Sequence, residues 1–370
     1  MPHSTDPYED DLDDLPSPRP VHYAEQSLLG ALLLDPHRLP DIRGLEAEQF
    51  SNHAHGALFQ AMRMVPLPDP EDHRSDPAWL NTVLAAARPQ APGLNASYLH
   101  TLVQVCPWPQ HAPTYARMIQ SDHARRTLIM HAQRLDQTAT DSTLPNRAVT
   151  TLAQADAIAQ FLDTLSGQFA PHPGSLPRPA IPTQPTVRSS EEALDEEQLL
   201  LATATAHPAA LKDMRWLQPD DFTQPLHAAL WQCLTSLAHR AEPVDPVTVL
   251  WEAQHRGLLA DDLAASDLMD LVSTPVGSAE YWGERILQRA LLTCACDVAT
   301  RIAAYAEDPA NTTHQLITGS RRALADLTAL RTRWQRSTAP APPTTPRAPL
   351  SPAVSRAGPP PRATAARALR

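Results

Sequence analysis

Two stretches of the chain decide its fold: EQSLLGALLL at 25–34 and EQLLLATATA at 197–206. In both, apolar residues recur at the spacing of one helix face, an acidic residue comes first, and a proline follows two positions after the end. This pattern predicts a helix with a buried face in each stretch.

The likeness of these stretches continues along the chain. A shift of 172 positions without a gap gives fourteen identities between 25–60 and 197–232, and His55 coincides with His227. A repeat of this length has the size of a domain, so it indicates tandem duplication rather than a solenoid of short units.

Prolines cluster outside the two copies. They are frequent in an acidic head at 1–20, in a linker at 169–191 and in a tail at 336–370. Segments of this composition bury too little apolar surface to offset the entropy of ordering. We therefore expect these three segments to be disordered, with one helical domain at 21–168 and another at 192–335.

Each predicted domain ends in two long helical segments. In the second domain, apolar residues between Leu287 and Tyr305 step by three or four positions, and the stripe resumes after Asp308-Pro309. This spacing predicts an antiparallel helical hairpin with coiled-coil-like contacts. No stretch alternates between apolar and polar residues, so we expect an all-α fold of two tandem domains without a sheet.

The composition excludes several kinds of enzyme. Lys212 is the only lysine, and it follows Leu211, so the chain lacks the Gly-Lys step of a phosphate-binding loop. No serine nucleophile elbow, Cys/His catalytic signature or glycine-rich loop occurs. We expect a protein that is not an enzyme, with no cofactor and no small-molecule substrate.

Sixteen histidines raise the question of a metal site. The nearest ligand pairs, His53 with His55 and Cys294 with Cys296, have no second pair at zinc-site spacing. We therefore predict no metal site. Because His55 recurs as His227 on the apolar side of the same helix, we predict that both are buried, hydrogen-bonded core histidines.

Charge is unevenly distributed within a net charge of -11. The head is acidic, and no acidic residue follows Asp326, so the C-terminal end from Arg331 onward is basic. Its arginines fit a weak, salt-sensitive contact with DNA, a solubilising tail, or attraction to the acidic head. The candidate nucleic-acid contacts are Arg347, Arg356, Arg362 and Arg367.

The number of cysteines and the hydropathy of the chain predict its cellular compartment. Four cysteines are too few for a disulfide framework in a chain of 370 residues, and no signal peptide opens it. The most apolar run, 199–211, is shorter than the roughly 20 residues of a membrane helix. We expect a cytoplasmic protein without a membrane span.

Several motifs resemble, in the same order, the N-terminal domain of DnaB-type replicative helicases. They begin with the opening helix at 24–36 and continue with LFQAM at 58–62, SYL at 97–99 and YARMI at 115–119. The second copy supplies EPVDPVTV at 242–249, a segment that the first copy lacks. The resemblance covers both predicted domains.

The resemblance implies a small helical core followed by a helical hairpin. It also implies a role, because in this family the domain builds the collar of the helicase ring by pairing through its hairpins, and it receives primase and loader proteins. Here a second copy and a basic tail stand where the family's RecA-like ATPase domain would follow. The candidate partner-binding residues, on the outer side of the hairpins, are Tyr115, Arg117, Trp282, Arg285 and Leu287.

The predicted function is a non-catalytic interaction module in DNA replication, related to the primosome, whose partner is a replicative helicase collar, a primase or another copy of this chain. One alternative is a component of an active helicase assembly that relies on another chain for ATPase activity. Another is a regulator that uses the same fold for an unrelated partner, which fold-level analogy does not exclude. Pairing of the two domains within one chain or between chains stays open.

Overall fold

The computed structural model describes residues 19–169, 190–259 and 264–338, and all regular elements among them are helical. The first 18 residues and nearly all of the predicted linker and tail lie outside this part. The all-α prediction is confirmed. The helices are α1 Pro20–Leu34, α2 His53–Met64, α3 Pro70–Ser75, α4 Ala78–Ala87, α5 Ala96–Val105, α6 Ala112–Thr140, α7 Arg147–Gln168, α8 Glu191–Ala206, α9 Pro225–His239, α10 Pro246–His255, α11 Ala265–Leu271, α12 Ala279–Glu307 and α13 Thr313–Ser337.

Polar side chains fix where several of these helices begin. The Asn52 side chain accepts a hydrogen bond from the first turn of α2, and Asn95 does the same for α5. Asp245 accepts from the backbone N–H groups of Val247 and Thr248 at the start of α10. Such caps satisfy N–H groups that have no partner within the helix.

A first globular unit is formed by α1 to α5 and the beginning of α6 around a continuous apolar core. Helix α1 lies at its centre, because the leucines predicted to form one face of this helix are fully buried. Gly30 lets α1 approach α5 closely, since a Cβ at this position would overlap the carbonyl oxygen of Leu102.

A second globular unit is formed by α8 to α11 and the first half of α12. Its central helix is α8, the repeat of α1, and Trp231 on α9 is buried beside it. Gly283 on α12 allows Met214 and Trp216 of the loop after α8 to pack directly against the helix.

Each unit contains a buried carboxylate bonded to the repeated histidine. Glu25 lies 2.7 Å from the Nδ1 atom of His55, whose Nε2 atom is 2.6 Å from the Tyr98 hydroxyl. Glu197 lies 2.9 Å from the Nδ1 atom of His227. Both glutamates are 0% exposed. The prediction of buried, hydrogen-bonded core histidines is confirmed.

Because of these two buried glutamates, we expect the stability of the fold to decrease at acidic pH. Burial raises the pKa of each glutamate, but hydrogen bonds lower it by more. Glu25 accepts from His55 and Ser51, and Glu197 accepts from His227 and Thr223. The pKa of each carboxyl group therefore lies below its ordinary value. Stability from such a carboxylate is present above its unfolded pKa and lost as pH falls through its folded pKa.

We therefore expect the free energy of unfolding to decrease below a pH of about 4.3. In the variant Glu25→Gln this decrease should be shallower, because the side chain no longer titrates. Urea unfolding measured at a series of pH values checks this, with Glu71→Gln as control because that side chain is 82% exposed. An identical acid slope in wild type and Glu25→Gln would contradict the expectation.

The two helical hairpins pack on each other within the same chain. The first consists of α6 and α7, the second of α12 and α13, and together they form a four-helix bundle with its own apolar core. The core is rich in alanine and leucine, and its buried residues include Ala124, Leu128, Ala132, Leu135, Leu152, Ile158, Leu162, Leu291, Ala295, Val298, Ile302, Leu316, Ile317, Ala323 and Leu327.

Candidate protein-interaction surface

Arg125 of the first hairpin holds the turn of the second. Its guanidinium donates to the carbonyl oxygens of Ala306 at 3.1 Å and Asp308 at 2.8 Å, and also to that of Asn311. Burial lowers the pKa of Arg125, against the opposing charges of Asp122 and Asp308. The contact satisfies carbonyl groups at the C-terminal end of α12, which have no partner within the helix.

Further polar contacts join the hairpins at their rim. Asp156 on α7 forms a bidentate ion pair with Arg331 on α13, and one of its two hydrogen bonds is 3.0 Å long. Arg321 on α13 bonds Asp163 at 2.6 Å and Ser166 at 3.2 Å. Because these side chains are largely exposed to solvent, the pairs add orientation more than affinity.

Arg125 and Asp156 are not among the residues predicted from the sequence to bind a partner. Their sequence signal is weak: each residue stands next to a buried alanine, Ala124 or Ala155, and thus borders the apolar stripe of its helix. Their partners are 175 or more residues away along the chain. No local pattern identifies such a pair.

Two of the candidate partner-binding residues lie at the start of α6. Tyr115 is partly buried against the core of the first unit. Arg117 is exposed and lines a cavity of about 410 Å³ between the hairpins, together with Met118, Phe169 and His314. Met118 is 51% exposed. Of these residues, Arg117 and Met118 are accessible to a partner.

The three candidates on α12 have contacts within the second unit. The Trp282 indole donates to the carbonyl oxygen of Val276 at 2.6 Å, and Arg285 forms ion pairs with Glu192 and Glu196 of α8. Leu287 is fully buried in the core of that unit, so a partner cannot reach it in the folded chain. The apolar stripe that suggested an outer surface continues here into a core.

The arginines attributed to the basic end divide into two groups. Arg331 and Arg333 belong to α13 and are tied to Asp156 and Asp221, so they act in folding rather than as free tail charges. The candidate DNA contacts Arg347, Arg356, Arg362 and Arg367 lie outside the described residues.

Within 19–169, 190–259 and 264–338, no group of three or more His, Cys, Asp or Glu side chains has an arrangement that would hold a metal ion. No helix in these ranges is long and apolar enough to cross a bilayer.

Comparison with known proteins gives the family. The sequence model described as DnaB-like helicase N terminal domain matches the chain twice, at residues 18–121 and 189–286, together more than half of its length. The chain belongs to this family. The two matched segments each contain one globular unit and the beginning of its hairpin, and the tandem duplication inferred from the repeat is confirmed.

Two curated relatives are replicative DNA helicases. Replicative DNA helicase DnaB of Mycobacterium leprae is 31% identical over 127 residues, which cover 34% of this chain and 21% of the relative. Replicative DNA helicase DnaC of Bacillus subtilis is 30% identical over 119 residues, covering 31% and 26%. The DnaB-like chain thus spans about a quarter or less of these relatives.

A solved structure of the same family is also similar. The crystal structure of the N-terminal domain of DnaB helicase from Mycobacterium tuberculosis is 29% identical to this chain, with a TM-score of 0.33. The match covers 36% of this chain and 96% of that one.

Proposed function

We propose that this DnaB-like chain is a non-catalytic interaction protein of DNA replication that presents two collar-type domains, already paired, to a replicative helicase or a primase. The observation that carries the proposal is the shared bundle core, in which helices of both hairpins are buried together. One chain thereby offers the arrangement that two separate domains of the family would need to associate to form.

The effective concentration of the two hairpins explains why pairing within the chain is favoured. Twenty residues, 170–189, separate the end of the described first hairpin from the second unit. Linked partners of this kind meet at an effective concentration on the order of millimolar, well above ordinary protein concentrations. Another copy of the chain therefore competes poorly for the bundle interface.

The partner surface is proposed to lie outside the bundle core, at the start of α6. Arg117 and Met118 are exposed there beside His314 of the second hairpin, so a partner that binds at this place contacts both hairpins at once. Arginine and methionine are enriched in protein interfaces. This placement makes recognition depend on the paired arrangement.

A binding measurement tests the proposal. The intact chain is expected to bind purified replicative helicase or primase of its host, and Arg117→Glu should weaken that binding by about tenfold or more, as for an interface arginine. Arg74→Glu is the matched control, because Arg74 is an exposed arginine outside the bundle. Biolayer interferometry with each purified partner provides the dissociation constants.

Two results would contradict the proposal. The first is the absence of binding to both partners by the folded chain. The second is DNA-stimulated ATP hydrolysis by the pure chain, which a non-catalytic protein does not perform.

A further inference from the structure

The two hairpins correspond to each other residue by residue. A shift of 167 positions places every buried residue of α6 on a buried residue of α12, from Ala112 on Ala279 to Ala139 on Ala306. A shift of 165 positions does the same for all but one buried residue of α7, which then coincide with buried residues of α13. The bundle therefore has the form of a two-fold pair made from two unlike hairpins.

The two rim contacts between α7 and α13 are formed by the same pair of corresponding positions, once on each side of the bundle. In this correspondence Asp156 matches Arg321, and Ser166 matches Arg331. The structure pairs Asp156 with Arg331 on one side and Arg321 with Ser166 on the other. On the second side Asp163 adds a carboxylate for Arg321. Both arginines of the second hairpin thus face a carboxylate of the first.

A pair of two second hairpins would bring like charges together. Arg321 of one copy would face Arg331 of the other, and the two-fold arrangement would repeat this contact on the opposite side. A pair of two first hairpins would place Asp156 opposite Ser166, without an ion pair at that position. Like charges across an interface disfavour the wrong partner even where attractive pairs add little affinity.

Arg125 also disfavours a pair of two second hairpins. Its counterpart on α12 is Leu292, and leucine has no side-chain hydrogen-bond donor. In a pair of two second hairpins, the carbonyl groups of 306–311 that now accept from Arg125 would face Leu292. They would lose their donor at both ends of the bundle.

We propose that the second hairpin selects the first hairpin as its partner and rejects another copy of itself, through Arg321, Arg331 and the requirement for Arg125. This inference rests on the hairpin pairing used in the proposed function and adds the specificity of that pairing. It implies that any external hairpin able to replace the first one must carry an arginine at the Arg125 position and a carboxylate at the Asp156 position.

The test uses the full chain, cut after it has folded. A protease recognition sequence inserted between residues 170 and 189 allows cleavage of the linker, and native mass spectrometry then reports which fragments remain together at micromolar concentration. We expect one N-terminal fragment bound to one C-terminal fragment, with no dimer of the C-terminal fragment.

Charge reversal sharpens the test. In Arg321→Asp, a pair of two C-terminal fragments gains a carboxylate opposite Arg331 at both sides. The dissociation constant of this dimer should therefore fall by about tenfold, as expected for two partly exposed pairs, and the dimer should become detectable. The control is Arg301→Asp, because Arg301 pairs with Asp326 inside the second hairpin. It should leave the choice of partner unchanged.

The possible failures have different meanings. If the cut fragments of the wild-type chain separate completely, the hairpin pairing behind the proposed function is wrong. If they remain paired but exchange freely into like pairs, or if Arg321→Asp changes nothing, the pairing stands and the specificity inference is wrong.

Discussion

Replacing Gly30 by alanine is expected to destabilise the first unit by about 3 kcal/mol or more, at the upper end of the range for overpacked cores. The added Cβ would overlap the carbonyl oxygen of Leu102 and lie 2.9 Å from the Cβ atom of Cys106. A backbone carbonyl cannot turn away as a side chain does, so α1 and α5 have to separate. Urea unfolding followed by circular dichroism measures the loss.

Helix propensity alone predicts the opposite sign, because alanine stabilises a helix interior by about 1 kcal/mol relative to glycine. Gly167→Ala provides that reference, since Gly167 lies in α7 and an added Cβ would have no atom within 4 Å apart from its chain neighbours and the backbone of its own helix. It should be neutral or slightly stabilising. A Gly30→Ala variant as stable as Gly167→Ala would show that the α1–α5 approach is looser than described.

The second unit has an alanine at the position that corresponds to Gly30. Ala202 occupies the position that matches Gly30 in the repeat, and it is buried at 2% exposure. The element corresponding to α5 is the shorter α11, seven residues long. The same helix position therefore accepts a methyl group in one copy and not in the other.

Removing the carboxylate of Glu197 is expected to destabilise the fold by about 3 kcal/mol, the upper end of the range for a hydrogen bond to a charged group. One of its oxygens accepts from the backbone N–H and the hydroxyl of Thr223, both at 2.7 Å, and the other lies 2.9 Å from His227. Arg289 is also within 3.6 Å. In Glu197→Ala the buried His227 and the partly buried Thr223 lose their common acceptor.

Thermal and urea unfolding of Glu197→Ala provide the measurement, and Glu192→Ala is the matched control. Glu192 precedes Glu197 on α8 and pairs with Arg285, but its side chain is 78% exposed, so its loss should change stability by less than about 1 kcal/mol. Equal effects of the two substitutions would show that Glu197 contributes no more to stability than an exposed ion-paired glutamate.

The family resemblance and the globular units were predictable because their signals are local. Apolar spacing at 25–34, the Asp245-Pro246 start of α10 and the repeated histidine each depend on residues within one or two helical turns, or on comparison of the two copies. Local spacing also gave the long helices of both hairpins.

Leu287 shows why the outer surface was not predictable. Helix α12 has 29 residues, and its apolar stripe continues without interruption. Up to Leu287 the stripe belongs to the core of the second unit, whereas from Leu291 it belongs to the bundle. An apolar stripe in the sequence predicts that a helix face is buried, but it does not predict which neighbouring element covers that face.

The sequence by itself therefore determined the helices, the duplication and the family, because periodicity, capping and repeated residues act over short distances along the chain. Only the tertiary structure decided which hairpin faces which, where Leu287 lies, and that Arg331 is bound by Asp156. These outcomes depend on contacts between residues far apart in sequence, each worth little alone, whose sum is set when the two units pack together.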